Sequence, residues 1–266
     1  MRALREEWAA LWRTRALLLL MVRRELAGRY AGSALGIAWL YAQPLLTVAV
    51  YYLVFDVVFE MRFGEGAPVS RPGAYLIVGL VPWMAFSDSV SRGMMSLLEA
   101  GTLLQKNPLP TVLFPARAVL SSAGIYLPLL LVLVLAYAPY HHFKPALLVL
   151  PLLTLAMLLL WVLLAYVLAI LTAALRDVAQ VVGFFLGVGA FLSPVLFPPS
   201  MFPPALSWLL WLNPMTPAVL GFQSQLLAGA VPALEVWVGL SAWLLGLAGL
   251  LNLLIERSRE QLIDWL

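Results

Sequence analysis

From Ala146 to Leu171 the chain passes without one charged side chain. At about 1.5 Å of rise per helical residue, such a run reaches across the roughly 30 Å of hydrocarbon in a bilayer. Five more stretches share this character: Leu35 to Phe59, Ala74 to Leu98, Ala118 to Ala138, Val178 to Phe197 and Val236 to Ile255. None alternates with period two, and each is too long for a barrel strand, so the pattern predicts helices. Within hydrocarbon every backbone N–H and C=O needs an internal partner, which a helix supplies from its own segment. The predicted fold class is therefore an all-α integral membrane protein with six transmembrane helices.

Composition closes off the soluble alternatives. Apolar residues make up 63% of the chain and charged residues 11%, with a mean hydropathy of +0.96, too little polarity to clothe a water-facing surface. A soluble enzyme, a nucleic-acid binder and a disordered scaffold are excluded, even at a pI near 9.3, because the net charge is only +3. The absence of cysteine removes disulfides, thiolate metal sites and cysteine nucleophiles. The short apolar run Ala16 to Val22 sits among arginines without a small-x-small cleavage pattern, so the leading segment is expected to stay on the protein.

An even number of spans places both termini on one side. Of the 16 lysines and arginines, only Arg62, Arg71 and Lys144 fall in loops opposite the termini, which predicts cytoplasmic termini.

Three regions outside the spans carry further information. In residues 1–34, Leu4, Trp8, Leu11, Leu18 and Val22 recur at helical spacing with Trp12 beside them. This reads either as an amphipathic helix lying in the cytoplasmic interface or as a solvated leader. Arg15 interrupts the apolar stripe, an irregularity that a snorkelling side chain tolerates. In residues 99–115, prolines and the polar cluster Gln105 to Pro110 end the second span. A knob there with exposed leucines and Phe114 for a partner to grip, or a plain connection, both fit. The segment 197–233 is apolar, lacks Lys and Arg, and is broken by Pro198, Pro199, Pro203, Pro204, Pro214, Pro217 and Pro232. Its pieces Ala205 to Leu212 and Pro217 to Leu227 are too short to span, which predicts two re-entrant or interfacial half-helices on the outer side at the mouth of a pathway. Residues 35–266 form the six-helix transmembrane domain on this reading.

Chemical machinery is sparse. The two lysines follow Gln105 and Phe143, so no Gly-Lys-Ser/Thr phosphate loop exists and the chain cannot hydrolyse ATP by that route. His141 and His142 are adjacent with no third ligand nearby, and no metal site is predicted. Asp88 and Arg92 lie four apart on the second span among Ser87, Ser89 and Ser91. They read as a structural ion pair facing the bundle or as groups with a direct substrate or proton role. Asp56 and Glu235, near the outer ends of their spans, are expected to reach water. Tyr51, Phe55 and Phe59 share one helix face, with Tyr41 and Tyr52 on the same span and Trp83 and Phe86 on the next. Such aromatics suit either the apolar faces of sugar rings or ordinary helix packing at an interface.

The stretch from Arg24 to Phe55, RELAGRYAGSALGIAWLYAQPLLTVAVYYLVF, resembles the opening signature of permease subunits of type-2 ABC exporters that move polysaccharides, a family that includes O-antigen and teichoic-acid exporters. GLVPWMAF from Gly79, the NPLP and LFPAR stretch from Asn107 to Arg117, RDV from Arg176, SPVLFPPS from Ser193 and LNPMTP from Leu212 follow in the family's order. Gln223 and Ser224 stand where many relatives carry arginine. The resemblance implies a homodimer in the bacterial cytoplasmic (inner) membrane, bound to two copies of a separate nucleotide-binding ATPase that holds ATP and magnesium, with no cofactor in this chain. Its cargo would be a lipid-linked polysaccharide of the O-antigen kind, as in lipopolysaccharide biosynthesis. It implies that Arg29, Tyr30, Lys106, Asn107, Pro108, Leu109 and Phe114 receive the ATPase. It further implies that Pro198, Pro199, Trp208, Trp211, Asn213 and Pro214 belong to an outer gate, and that spans one and five line a channel whose span-one aromatics touch the glycan. An ABC exporter of a drug or lipid, and a secondary carrier, are the alternatives; the chain shows no internal repeat and no ion-coupling cluster beyond Asp88.

Overall fold

The computed structural model describes residues 2–29, 32–34, 36, 38–64, 69–70, 72–137, 145–259 and 261–266, and among them there are helices and no strand. The leading amphipathic segment forms two helices, α1 (Arg2–Arg13) and α2 (Arg15–Gly28), broken at Thr14, whose hydroxyl bonds back to the Ala10 carbonyl at 2.8 Å. The predicted stripe faces protein: Leu18 and Val22 are buried, and Leu4, Trp8 and Leu11 pack half-buried on the core. The break turns Arg15 outward, where its guanidinium stacks 5.2 Å from the exposed Trp12 ring.

Helix α3 (Ala38–Tyr52) continues into a π-helical turn, Leu53–Val58, in which Phe59 N–H reaches back five residues to the Val54 carbonyl. Helix α4 (Pro72–Glu99) is the axis of the bundle. Of its most apolar stretch 72% of residues are buried, against 6% for the span that α3 begins. Proline at its first position costs no hydrogen bond. The Asp56 carboxylate accepts from Gly73 N–H at 3.2 Å, satisfying one of the donors a helix start leaves open. Asp56 is thus buried, at 9% exposure, rather than reaching water as the sequence suggests. Where α4 crosses α7 (Leu150–Ala174), Gly93 has no Cβ; one added there would stand 2.4 Å from the Ala165 Cβ. Only glycine permits that approach.

Helix α5 (Gly101–Lys106) and helix α6 (Leu113–Tyr137) follow α4, and α8 (Asp177–Val188) follows α7. Beyond it come α9 (Trp208–Trp211), α10 (Thr216–Leu226), α11 (Leu234–Ser258) and the short α12 (Leu262–Trp265). Both chain ends meet at one end of the bundle: Arg259 pairs with Glu6 at 3.5 Å, Leu4 N–H bonds the Asn252 side chain, and Leu266 lies against Gly101.

Among the described residues, five helical segments are long and apolar enough to cross a membrane, beginning at Ala38, Pro72, Leu113, Ala146 and Leu234. The sixth predicted span, Val178 to Phe197, is not one helix. The helix stops at Val188 after 12 residues, about 18 Å of rise, and turns carry the chain through Phe197. Phe191 and Leu192 are exposed, but Ser193 to Leu196 are buried, and the carbonyls there find side-chain donors: the Tyr75 hydroxyl bonds Pro194 O at 2.9 Å and Phe197 O at 3.3 Å, and Gln223 Nε2 bonds Pro194 O at 2.8 Å. Buried irregular backbone is tolerated on that condition. Two short helices, α9 and α10, stand where half-helices are expected; α10 is largely buried, and α9 runs from the exposed Trp208 to the buried Leu210.

Candidate functional site: a polar cavity among four helices

The faces of α3 and α4 that look at each other are spaced at helical repeats. From α3 come Leu40, Gln43, Pro44, Thr47 and Tyr51; from α4 come Leu80, Trp83, Met84, Ser87, Asp88, Ser91 and Arg92. With Ile125 and Tyr126 of α6 and Gly187 and Ala190 at the end of α8, they enclose a cavity of about 500 Å³. One wall is amide, hydroxyl and aromatic; the other is ionic.

The ionic wall joins three helices. Asp88 takes Arg92 at 2.9 Å, the predicted pair, and also Arg29 at 3.1 Å and the Ser122 hydroxyl of α6. Arg29, at the end of α2, adds Ser122 at 3.3 Å and Glu25 at 3.6 Å. The Arg29 side chain is 5% exposed, so it turns into the bundle. Burial of a guanidinium demands such partners. Glu25 in turn pairs with Arg117 at 2.8 Å. The charges nearly cancel.

The aromatic residues divide. Tyr51 and Trp83 line the cavity. Tyr51 stacks on Phe55 with centroids 6.0 Å apart, and Phe55 meets Phe59 and Phe197 edge-on at 6.0 and 6.3 Å, so the stripe packs toward the broken segment after α8. Phe59 and Tyr52 are exposed and Tyr41 half-buried; none of the three borders this cavity. The Tyr52 ring covers Gly73, where an added Cβ would stand 2.7 Å from it. Phe86, 5.5 Å from Trp83, faces a second, apolar cavity of about 420 Å³ between α4, α7 and α8.

Of the residues implied to receive an ATPase, Lys106, Asn107 and Pro108 are exposed and Leu109 is half-buried. Phe114, expected at the surface, is 1% exposed. Helix α6 begins at Leu113 and carries Phe114 into its packed face. Tyr30 lies outside the described residues, as do His141 and His142. Of the implied gate residues, Pro198 is buried, Pro199 and Trp208 are exposed, and Trp211, Asn213 and Pro214 are half-buried. Trp243 Nε1 donates to Trp211 O at 3.2 Å. Asn213 ties two turns together, donating to Gly189 O and accepting from Met215 N–H. Gln223 is spent on Pro194.

Sequence reasoning missed Gln43, Thr47, Ser122 and Tyr126 as residues of this site: Gln43 and Thr47 lie inside the Arg24–Phe55 signature but carry no charge, and Ser122 and Tyr126 stand in none of the quoted motifs. Only their helical register relative to Asp88 and Tyr51 could have flagged them.

Comparison with known proteins agrees with this architecture. The model of the family described as ABC-2 type transporter matches residues 16–227. A protein named O-antigen export system permease protein RfbA from Myxococcus xanthus is 31% identical over 259 residues, covering 96% of each chain. One of the same name from Klebsiella pneumoniae is 22% identical over 218 residues, covering 81% of this chain and 82% of its own. The chain belongs to the ABC-2 type transporter family.

Proposed function

We propose that this chain is the membrane-spanning permease subunit of an ATP-driven exporter, moving a lipid-linked polysaccharide across the bacterial cytoplasmic membrane through a passage enclosed by two copies of itself. The observation that carries the reading is the cavity between α3, α4, α6 and α8. Its wall combines amide and hydroxyl groups (Gln43, Thr47, Ser87, Ser91, Tyr126) with the flat faces of Tyr51 and Trp83. Sugars present hydroxyls at their edges and apolar C–H groups on their faces, so that lining fits a glycan better than a hydrocarbon. Arg29 and Arg92 are balanced by Asp88 and Glu25, which offers polarity without a strong field that would hold a passing polymer. The names of the similar proteins point to the same cargo class.

The second copy is expected against α3 and α8. Helix α8 buries none of its residues, and the span that α3 begins is 6% buried, the lowest of the five apolar spans among the described residues, with Leu45, Leu46 and Val50 exposed. The interrupted segment 177–197 makes the sixth crossing, and α9 with α10 re-enters from the outside as a gate. Both termini, α5 and the Asn107–Leu109 turn face the cytoplasm, where the basic residues lie. ATP and magnesium are held by two copies of a separate ATPase docked there, since this chain has no phosphate-binding loop.

The test is reconstitution of the chain with its ATPase subunit in vesicles. Glycan translocation is expected with the active ATPase and none with a catalytically inactive one. Translocation surviving inactivation, or following an ion gradient with this chain alone, overturns the reading.

A further inference from the structure

A second group of buried polar side chains, at the end of the bundle where the chain termini meet, takes no part in the cavity. Glu7 of α1 points inward and accepts the backbone N–H of Val112 at 3.3 Å. Tyr166 of α7 and Thr111 line the same cleft as Glu7. Tyr166 is 1% exposed, and its oxygen lies 2.6 Å from the Thr111 hydroxyl. Residues 111 and 112 join the α5 turn to α6. Glu7 therefore clasps α1 to the connection beyond Asn107–Pro110 through Val112, and the neighbouring Thr111 ties that connection to the middle of α7.

The clasp continues into the bundle. α1 leads through Thr14 into α2, which ends at Arg29 in the ion cluster with Asp88 on the cavity wall. An unbroken path of bonded groups thus runs from the α5 turn through Glu7, α1 and α2 to the cavity.

We propose that Glu7 is a positioning residue that passes displacement of the α5 turn to α1, and by Arg29 to the cavity wall. This rests on the reading of the chain as an ATPase-driven permease. Glu7 touches no cargo and no nucleotide; its effect is to make α1 and the α5 turn move as one body. Glutamine at this position keeps an oxygen able to accept from Val112 N–H, whereas alanine leaves that donor without it.

The experiment uses the full-length chain in complex with its ATPase subunit in phosphatidylethanolamine and phosphatidylglycerol vesicles. Amide hydrogen exchange at Val112 reads the clasp directly. In Glu7→Ala it is expected to quicken about ten-fold, as loss of a hydrogen bond to a charged acceptor predicts, and in Glu7→Gln to stay within about two-fold of wild type. Because the chain has no cysteine, spin labels at Leu46→Cys on α3 and Phe184→Cys on α8 report the cavity. ATP with vanadate is expected to shift their distance in wild type and in Glu7→Gln. The shift is expected to fall to less than about half in Glu7→Ala and in Tyr166→Phe, which keeps the ring and removes only the hydroxyl. Equal Val112 exchange in wild type and Glu7→Ala, or full shifts in both disrupted variants, overturns the inference while leaving the permease reading intact. A wild-type chain that captures no ATPase overturns the permease reading and this inference with it.

Discussion

Replacing Arg29 by methionine removes the charge while keeping most of the stem, and the partners left in the ion cluster set the cost. Arg29 is 5% exposed and Asp88 24%, so the pair is largely withdrawn from water. Breaking a fully buried pair costs about 3–5 kcal/mol, but Asp88 retains Arg92 at 2.9 Å and Ser122. The expected cost of Arg29→Met is therefore nearer about 2–3 kcal/mol, the worth of a hydrogen bond to a charged partner plus partial desolvation. Asp88→Asn is expected to cost a similar amount, because it leaves the buried guanidinium with only Glu25 at 3.6 Å and the Ser122 hydroxyl. The double variant has neither orphan, so its cost should fall short of the sum by about 1.5–2 kcal/mol. Unfolding in mixed micelles, followed by the fluorescence of the 10 tryptophans, measures all three. Additivity within about 0.5 kcal/mol would refute the argument that Arg29 and Asp88 hold each other.

Separate parts of the fold yield further predictions. Burial raises the Glu7 carboxyl above its ordinary range, more than its bond to Val112 and the nearby Tyr166 and Arg259 lower it. The folded state then binds that proton more tightly than the unfolded one, so its stabilising effect is complete in acid and fades as pH climbs past about 4 through the raised value. Thermal unfolding of wild type and Glu7→Gln should show wild type losing ground as pH rises; a pH-independent difference contradicts this. Gly93→Ala should push α4 from α7 and cost about 1–3 kcal/mol in micelle unfolding, because its Cβ would meet that of Ala165 at 2.4 Å; a neutral change would mean the helices do not cross there. Trp83→Ala should cost about 3–5 kcal/mol of stability, since the ring is 6% exposed. The half-buried Tyr51→Ala should lower glycan export with the ATPase still bound, and unchanged export would remove Tyr51 from the passage.

Most of the helical architecture was legible from hydropathy because the long apolar runs have one economical solution in lipid. The break after Val188 was not, since Gly189 to Phe197 stays as apolar as the helix before it. What permits the break is donated from elsewhere, by Tyr75 and Gln223, and neither is near it in sequence. The Asp88–Arg92 pair could be read from its four-residue spacing. The third member, Arg29, lies 59 residues away from Asp88 and becomes visible only when α2 docks. Phe114 failed for a related reason: next to a proline and a charged patch it reads as exposed, but the start of α6 turns it inward. Glu7 looked like one more charge on a polar helix face, and only the approach of Val112 gives it a backbone donor.

The central claim, that two copies of this chain enclose the passage with α3 and α8 between them, can be tested most directly by disulfide trapping in native membranes. The chain has no cysteine of its own, so a single cysteine can bridge only to another molecule. Cysteine at Leu46 on α3 or at Phe184 on α8, both exposed, is expected to give a covalent dimer. Cysteine at Leu245 on α11, 69% exposed, is expected to remain monomeric. Dimers from the α11 position with none from α3 or α8 would place the second copy elsewhere and contradict the account.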